Sequence, residues 1–276
     1  MAGSLLARAM GALELLVEHP RGLNLQDVAD RLGMPKSGAH RLLAELAQLH
    51  YVVQDKDSAR YLLTTRLMSL GFKQLGSSGI VEVVQPVLNR LAAVSGELVR
   101  LAVVDNGRLP FVAKAQGARS GLRFDPDMGG EAALFCSSSG MIWLASLPEN
   151  EAVEHVARQG FTLLDQRGPK VPKTIAEVLA CVADARERGY SRAIETWGPG
   201  MSSMAAAVRE PHSARVTGVL SIAGPTVRLT EAAMDALAPE LLAAADELSA
   251  VSPLSEYLRS INPTVAESAP GRQRAA

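Results

Sequence analysis

Cysteine is nearly absent: Cys136 and Cys181 are the two in 276 residues, far apart, with no CxxC or Cys/His cluster. That excludes a disulfide-stapled secreted scaffold, leaves no zinc-binding spacing, and suits a reducing cytosol. A basic surplus is lacking too: 28 Lys and Arg face 29 Asp and Glu, for a formal net charge of −1. This excludes a protein that coats nucleic acid over its whole surface, but not a module whose positive charge is local. No apolar run approaches the ~20 residues that span a bilayer. The opening MAGSLLARAMGALELL has a helical period and carries an acidic residue, Glu14, in place of a signal peptide's basic start and small-residue cleavage site. The expectation is a cytoplasmic chain with no membrane partner. Also missing are the G-x-S-x-G elbow, HExxH, Walker loop and Rossmann fingerprint, so no cofactor or metal is expected.

What is present is the material for two cores. The length is comfortable for two domains, and 47% apolar with 21% charged residues is ordinary for a globular chain. Residues 1–66 hold eight basic residues against seven acidic, and the remainder 20 against 22, so charge divides the chain only slightly.

In the first segment Leu6, Ala9, Met10, Leu13, Leu16 and Val17 recur at helical spacing. His19-Pro20-Arg21-Gly22 ends that helix. Asn24 can cap a second, short helix with Val28, Ala29 and Leu32 inward, and Gly33 suits a left-handed residue after it. Pro35 opens a third helix, with Ala39, Leu42, Leu43, Leu46 and Leu49 on its core side and Ser37, His40, Arg41, Ala44 and Gln48 opposite. Two β-prone runs, 51–54 and 60–63, flank Asp55-Lys56-Asp57-Ser58-Ala59 as a hairpin. Three helices and a hairpin describe a winged helix-turn-helix over residues 1–64.

Residues 65–79 read as a linker helix closing in a Gly/Ser break, and 80–253 as a second domain. Its pattern is a helix near 80–95, strands at 98–104 and 109–114, and helices near 138–147, 149–158 and 174–188. Strands at 203–209 and 216–222 and an alanine-rich helix near 229–250 complete it. That is an α+β domain with helices covering a mainly antiparallel sheet. The tail, 254–276, is rich in Pro, Ser, Ala and Arg without periodicity and reads as disordered.

The stretch from Leu23 to Leu43, LNLQDVADRLGMPKSGAHRLL, closely resembles the helix-turn-helix of the IclR family of regulators. Ordered matches continue through Arg60-Tyr61, Leu67-Met68-Ser69-Leu70-Gly71, Pro86-x-Leu88-x-x-Leu91, Gly96-Glu97, Gly130 and Gly140. Arg186-x-x-Gly189-Tyr190, Glu195, Gly200 and Ser221-x-x-Gly224-Pro225 extend them, so the resemblance covers roughly residues 4–250. It implies a C-terminal GAF-like α/β effector-binding domain and a homo-oligomer, either a dimer or a dimer of dimers. The chain departs from the family at Ser37-Gly38 (usually Ser-Thr), Gly140-Met141 (usually Gly-Lys), Ala207 (commonly proline) and Ala193 (frequently acidic).

For DNA, the third helix is the natural recognition element. Lys36 and Arg41 can neutralise phosphates or reach guanine edges, and Ser37 and His40 can donate to either. Lys56 and Arg60 would touch the neighbouring backbone. Gly38 costs on the order of 1 kcal/mol against alanine inside a helix, so it sits in the first turn or lets the backbone approach DNA closely. The expected target is a double-stranded, pseudo-palindromic operator. Without the family match, the same polar ridge would pass for a solvated helix face.

For the effector, Phe135-Cys136-Ser137-Ser138-Ser139-Gly140 places serines at a helix start, where free N–H groups seat an anion. By resemblance Ser138 and Ser139 lie in the effector loop, and Met201, Ser203 and Ser221 fall among the pocket-lining positions. Phe135, Trp197, Met201 and Met204 would favour a ring over a two- or three-carbon acid. The expected ligand is a small organic carboxylate, aromatic in type, and with Ser203 and Ser221 as neutral donors it needs no buried arginine. Two alternatives are an enzyme using Cys136 with His155 or His212 as base, and a winged helix serving only protein contacts.

Overall fold

The computed structural model describes residues 4–78, 80–126, 129–211 and 215–250. The tail from 254 and the end of the second domain at 253 lie outside the described residues, as does His212. The chain divides into two compact units, 1–77 and 78–276.

In the first unit, α1 (Leu5–Val17) begins at Ser4, whose hydroxyl accepts from the Ala7 amide at 3.2 Å. Helix α2 (Leu25–Arg31) is capped by Asn24, whose Oδ1 accepts from the Asp27 amide at 2.9 Å. Gly33 then adopts φ 59°, and α3 (Lys36–Gln48) starts directly after Pro35. Strands β1 (Val52–Gln54) and β2 (Tyr61–Leu63) pair antiparallel as a wing, with Val52 opposite Leu63. Ala12, Leu13, Leu16, Val28, Leu42, Leu43, Leu46, Val52 and Tyr61 form one core.

One core assignment fails there. Leu49 is 58% exposed, because α3 ends at Gln48 and Leu49 turns away as its C-cap. On α1, Leu6, Met10 and Val17 are exposed while Ala12, Leu13 and Leu16 face inward. The helix buries a narrower stripe than its apolar residues define.

Helix α4 (Arg66–Ser78) includes Gly76, Ser77 and Ser78, so the Gly/Ser stretch is helical up to Ser78. Helix α5 (Ile80–Ser95) opens the second unit. It is followed by β3 (Leu98–Val103), β4 (Phe111–Gln116), α6 (Ser138–Ala145), α7 (Glu149–Gln159) and α8 (Ile175–Arg188). Strands β5 (Ser191–Ile194), β6 (Met201–Arg209) and β7 (Val216–Pro225) and helix α9 (Glu231–Ala250) complete it. The sheet is antiparallel throughout, in order β4-β3-β7-β6-β5. Strand β5 went unread: four residues with polar Ser191 and Arg192 carry too little pattern to show a strand.

Alternation along the strands splits the core in two. Val99, Leu101, Met204, Leu220 and Ile222 meet α5 and α9 on one face of the sheet. Ala102, Phe111, Ala205 and Val219 meet α6, α7 and α8 on the other. Central β7 is buried along its whole length. Arg186 Nε and Nη2 donate to the Ala145 and Leu147 carbonyls at 2.9 and 3.1 Å, closing the C-terminal end of α6.

Candidate functional site

Helix α3 turns Lys36, Ser37, His40 and Arg41 to solvent while Ala39, Leu42, Leu43 and Leu46 hold its other side in the core. Gly38 is the third helical residue, half-buried, so it does sit in the first turn. A Cβ there would meet only the Met34 terminal methyl, at 3.2 Å. In the wing, Asp55 Oδ1 accepts from the Ser58 amide (2.7 Å), the Ser58 hydroxyl (2.7 Å) and the Asp57 amide (3.2 Å). Those bonds, Ser58's first, hold the Asp55 carboxyl below its ordinary value and leave Lys56 exposed at the tip. Arg60 is exposed as well, but its Nη1 donates to the Gly22 carbonyl at 3.0 Å, tying the wing to the turn between α1 and α2. Its guanidinium is partly committed inside the module.

In the second unit a cavity of about 130 Å³ lies on the α6 side of the sheet. Its floor is Arg100 on β3, Ser221 and Ala223 on β7, Ser203 and Met201 on β6, and Ala193 on β5. The register explains the grouping: Arg100 pairs with Ser221, Ser203 with Ala223, and Ala193 with Ser203. Ser137, Ser138 and Ser139 close one end, and Phe111, Phe124, Trp197 and Glu131 make the walls.

The head of α6 is built into this cavity. Ser137 is the N-cap, its hydroxyl accepting from the Gly140 amide at 3.0 Å. Ser138 and Ser139 are buried in the first turn, where a helix leaves amide N–H groups without intrahelical partners. Ser138 Oγ donates to Ser203 Oγ at 2.8 Å, and Ser191 Oγ donates to the Ser138 carbonyl at 2.7 Å. Thr196 Oγ1 donates to the Cys136 carbonyl. The turn can approach because residue 140 is glycine: a Cβ would sit 2.4–2.8 Å from Leu134 backbone atoms.

The electrostatics centre on Arg100. Its guanidinium stacks on Phe111, 3.6 Å from the ring centroid, and its Nε is enclosed with no hydrogen-bond partner among the described residues. Burial draws its pKa down to about 10, so it stays protonated at neutral pH. Glu131, the acidic group on the wall, pairs with Arg108. Phe124 meets Trp197 edge-on, centroids 5.4 Å apart, and Arg167 lies 5.7 Å from the Trp197 ring centroid.

Ser138, Ser139, Met201, Ser203 and Ser221 thus come together, as does Trp197. Phe135 does not. It is fully buried against Phe161 and the α6–α8 core, because the backbone turns it away from the cavity just before α6 begins. Met204 is likewise core, since the residue after Ser203 on a strand faces the other side of the sheet. The cavity also holds an arginine, the half-buried Arg100, which the reading of the serine donors did not call for. A charge in the otherwise apolar LVRLAV strand was the available signal, and with it Phe111 and Phe124 went unread.

Cys136 is fully buried, and burial raises its thiol to about 11, the opposite of what a nucleophile needs. Among the described residues no three His, Cys, Asp or Glu are grouped to hold a metal, and no helix is long and apolar enough to cross a membrane.

The family profile for the bacterial transcriptional regulator IclR C-terminal domain matches residues 72–250, and that for the IclR helix-turn-helix domain matches residues 5–56. The chain belongs to the IclR family. Among curated IclR proteins it is 27% identical over 245 residues to the transcriptional repressor IclR of Escherichia coli K12, covering 88% of each chain. Its fold matches an IclR regulator from Alicyclobacillus acidocaldarius with TM-score 0.77 at 25% identity, covering 92% of this chain and 100% of that one. An IclR homologue from Microbacterium hydrocarbonoxydans, solved in complex with 4-hydroxybenzoate, matches with TM-score 0.68 at 22% identity over 90% of this chain and 100% of that one. The IclR family is regulatory, so this chain is a DNA-binding transcription regulator and not an enzyme.

Proposed function

We propose that this IclR-type regulator acts in the cytoplasm as a homo-oligomer. In this reading two α3 helices read a pseudo-palindromic operator, and a small organic carboxylate in the sensor cavity modulates that binding. Lys36, Ser37, Gly38, His40 and Arg41 make the reading surface, Lys56 approaches the flanking phosphates, and Arg60 adds to them whatever its bond to Gly22 leaves available. Residues 80–253 form the effector domain, with Ser138, Ser139, Met201, Ser203 and Ser221 among its ligand contacts.

The observation that carries the effector reading is a cavity walled by Phe111, Phe124 and Trp197 that also holds buried serines at a helix start. Its size, about 130 Å³, is close to the ~150 Å³ of an apolar cavity that accepts benzene. The Microbacterium homologue lends support, because it was solved in complex with an aromatic carboxylate, 4-hydroxybenzoate. Binding shifts operator affinity to the extent that the ligand prefers one arrangement of the oligomer.

Footprinting on the intergenic region beside the gene should reveal two symmetric half-sites about a helical turn or more apart. Calorimetry with glyoxylate, pyruvate, benzoate and 4-hydroxybenzoate should rank the aromatic acids first. A lone half-site would defeat the dimeric reading, and preference for glyoxylate would defeat the aromatic one.

A further inference from the structure

We infer that Arg100 is the residue that recognises the effector's carboxylate, and that the cavity selects an acid carrying one negative charge on one aromatic ring. This rests on the effector reading above and adds to it the specificity-determining side chain.

Four observations converge. Arg100 springs from the middle of β3, directly opposite Ser221, and faces into the cavity. Its guanidinium carbon lies 3.6 Å over the Phe111 ring centroid, a contact that restrains the group before any ligand arrives. Its enclosed Nε has no acceptor, and no ion pair forms to it among the described residues. Arg100 is half-buried, and a largely desolvated cation left without an anion is costly, so folded proteins retain one where a partner arrives later or function requires it. It remains protonated at neutral pH, which gives the cavity a standing positive charge.

The surroundings then limit the ligand. A planar guanidinium matches a carboxylate by two parallel hydrogen bonds. Ser221 on the adjoining strand and Ser138, Ser139 and Ser203 at the other end supply neutral donors and acceptors. Phe124 and Trp197 offer ring edges and faces to an aromatic body. Glu131 also lines the cavity, and although Arg108 pairs with it, its carboxylate opposes a second acid group. Arg167, the other arginine with an enclosed and unpartnered Nε, lies beyond Trp197 and does not line the cavity.

The test uses the full chain. Calorimetry with benzoate, benzamide and terephthalate is run on the wild type, Arg100→Met and Arg100→Lys, with ligand-free melting followed by tryptophan fluorescence. Expected is a wild type that prefers benzoate to benzamide and to terephthalate. Arg100→Met should weaken benzoate roughly ten- to a hundred-fold, the range for losing a charge-assisted pair, while leaving benzamide within about two-fold. Arg100→Lys should fall between. Ligand-free Arg100→Met should melt no lower than the wild type, because it removes an uncompensated charge.

Acid preference surviving in Arg100→Met overturns this inference and leaves the carboxylate reading standing on the α6 amides. A wild type that binds acid and amide equally, or binds none of the probes, overturns both. Melting of Arg100→Met several degrees lower shows a structural guanidinium and overturns the inference, whereas terephthalate binding like benzoate overturns the single-charge clause.

Discussion

Glu97 and Arg228 form a two-point ion pair beside the paired ends of β3 and β7: Arg228 Nε donates to Glu97 Oε1 at 2.6 Å and Nη2 to Oε2 at 2.9 Å. Glu97 is buried at the start of β3, and Arg228 follows β7. Arg228 Nη2 also donates to the Leu122 carbonyl at 2.8 Å, so the pair anchors the segment that carries Phe124 over the cavity. Residue 224 is glycine for the same reason, since a Cβ there would sit 2.4 Å from the Glu97 carboxylate.

Breaking that pair should loosen the sensor before it unfolds it. Glu97→Ala is expected to cost about 1–3 kcal/mol, below the full figure for a buried pair because Arg228 is partly exposed. Both tryptophans, Trp143 and Trp197, lie in the second unit, so fluorescence-monitored urea unfolding reads this unit alone. Arg228→Ala should in addition weaken effector binding. An unchanged midpoint would show that the pair contributes nothing net.

At the DNA surface, Arg41→Ala should cost about 1–3 kcal/mol of operator binding and relax specificity at one position if the guanidinium reads a base. If it holds a phosphate, all sequences should weaken alike and the salt slope should fall by about one. Gly38→Ala separates fold from contact: the Met34 methyl can yield, so the first unit should gain up to about 1 kcal/mol of stability. A concurrent loss of operator affinity would show that the backbone at this turn approaches DNA. Unchanged affinity in both variants would remove Arg41 and Gly38 from the interface.

For the head of α6, Ser138→Pro removes one amide hydrogen at the first helical position, where proline is tolerated. Ser137 before it already has the extended backbone that precedes proline (φ −98°, ψ 149°). Ser138→Ala removes only the hydroxyl bond to Ser203. Stability should fall by about 1 kcal/mol in the alanine variant. Effector binding should vanish in the proline variant and weaken modestly in the alanine one. Equal binding by both would relieve the Ser138 amide of a ligand role.

The Cys136 thiol should resist iodoacetamide at pH 7.5 in the folded protein, since burial raises it to about 11 from the ordinary 9.0. The raised value also sets a sign for stability. The unfolded thiol ionises first, so its contribution is intact below pH 9 and is lost as pH climbs toward 11. Unfolding followed across that range should show a decline that Cys136→Ser lacks. Rapid alkylation at neutral pH would contradict the burial.

Much of the fold was legible because its signals are local. Asn24, Gly33 and the amphipathic period of α3 depend on neighbours within a few residues, and the helix-turn-helix followed from them. The serine run ahead of α6 announced a capped helix start for the same reason, and Ser137 is the cap. Phe135 and Met204 are core and not site because an apolar side chain is compatible with either, and only the backbone direction separates the two; Leu49 is exposed because its helix ends one residue earlier. Strand β5 was missed because its four residues owe their strand state to pairing with β6, a contact of low sequence signal.

The sequence by itself determined a two-part regulator: a capped helix-turn-helix with a wing, an α+β sensor, and the IclR match that names the family. Tertiary structure alone decided the cavity. Arg100 and Ser221 are brought opposite each other by β3–β7 pairing, and Ser138 meets Ser203 across 65 residues. Phe124 reaches Trp197 through a segment anchored by Arg228. Such pairings depend on strand register and on long-range packing, and nothing in the local order of residues encodes which distant partner a side chain will face.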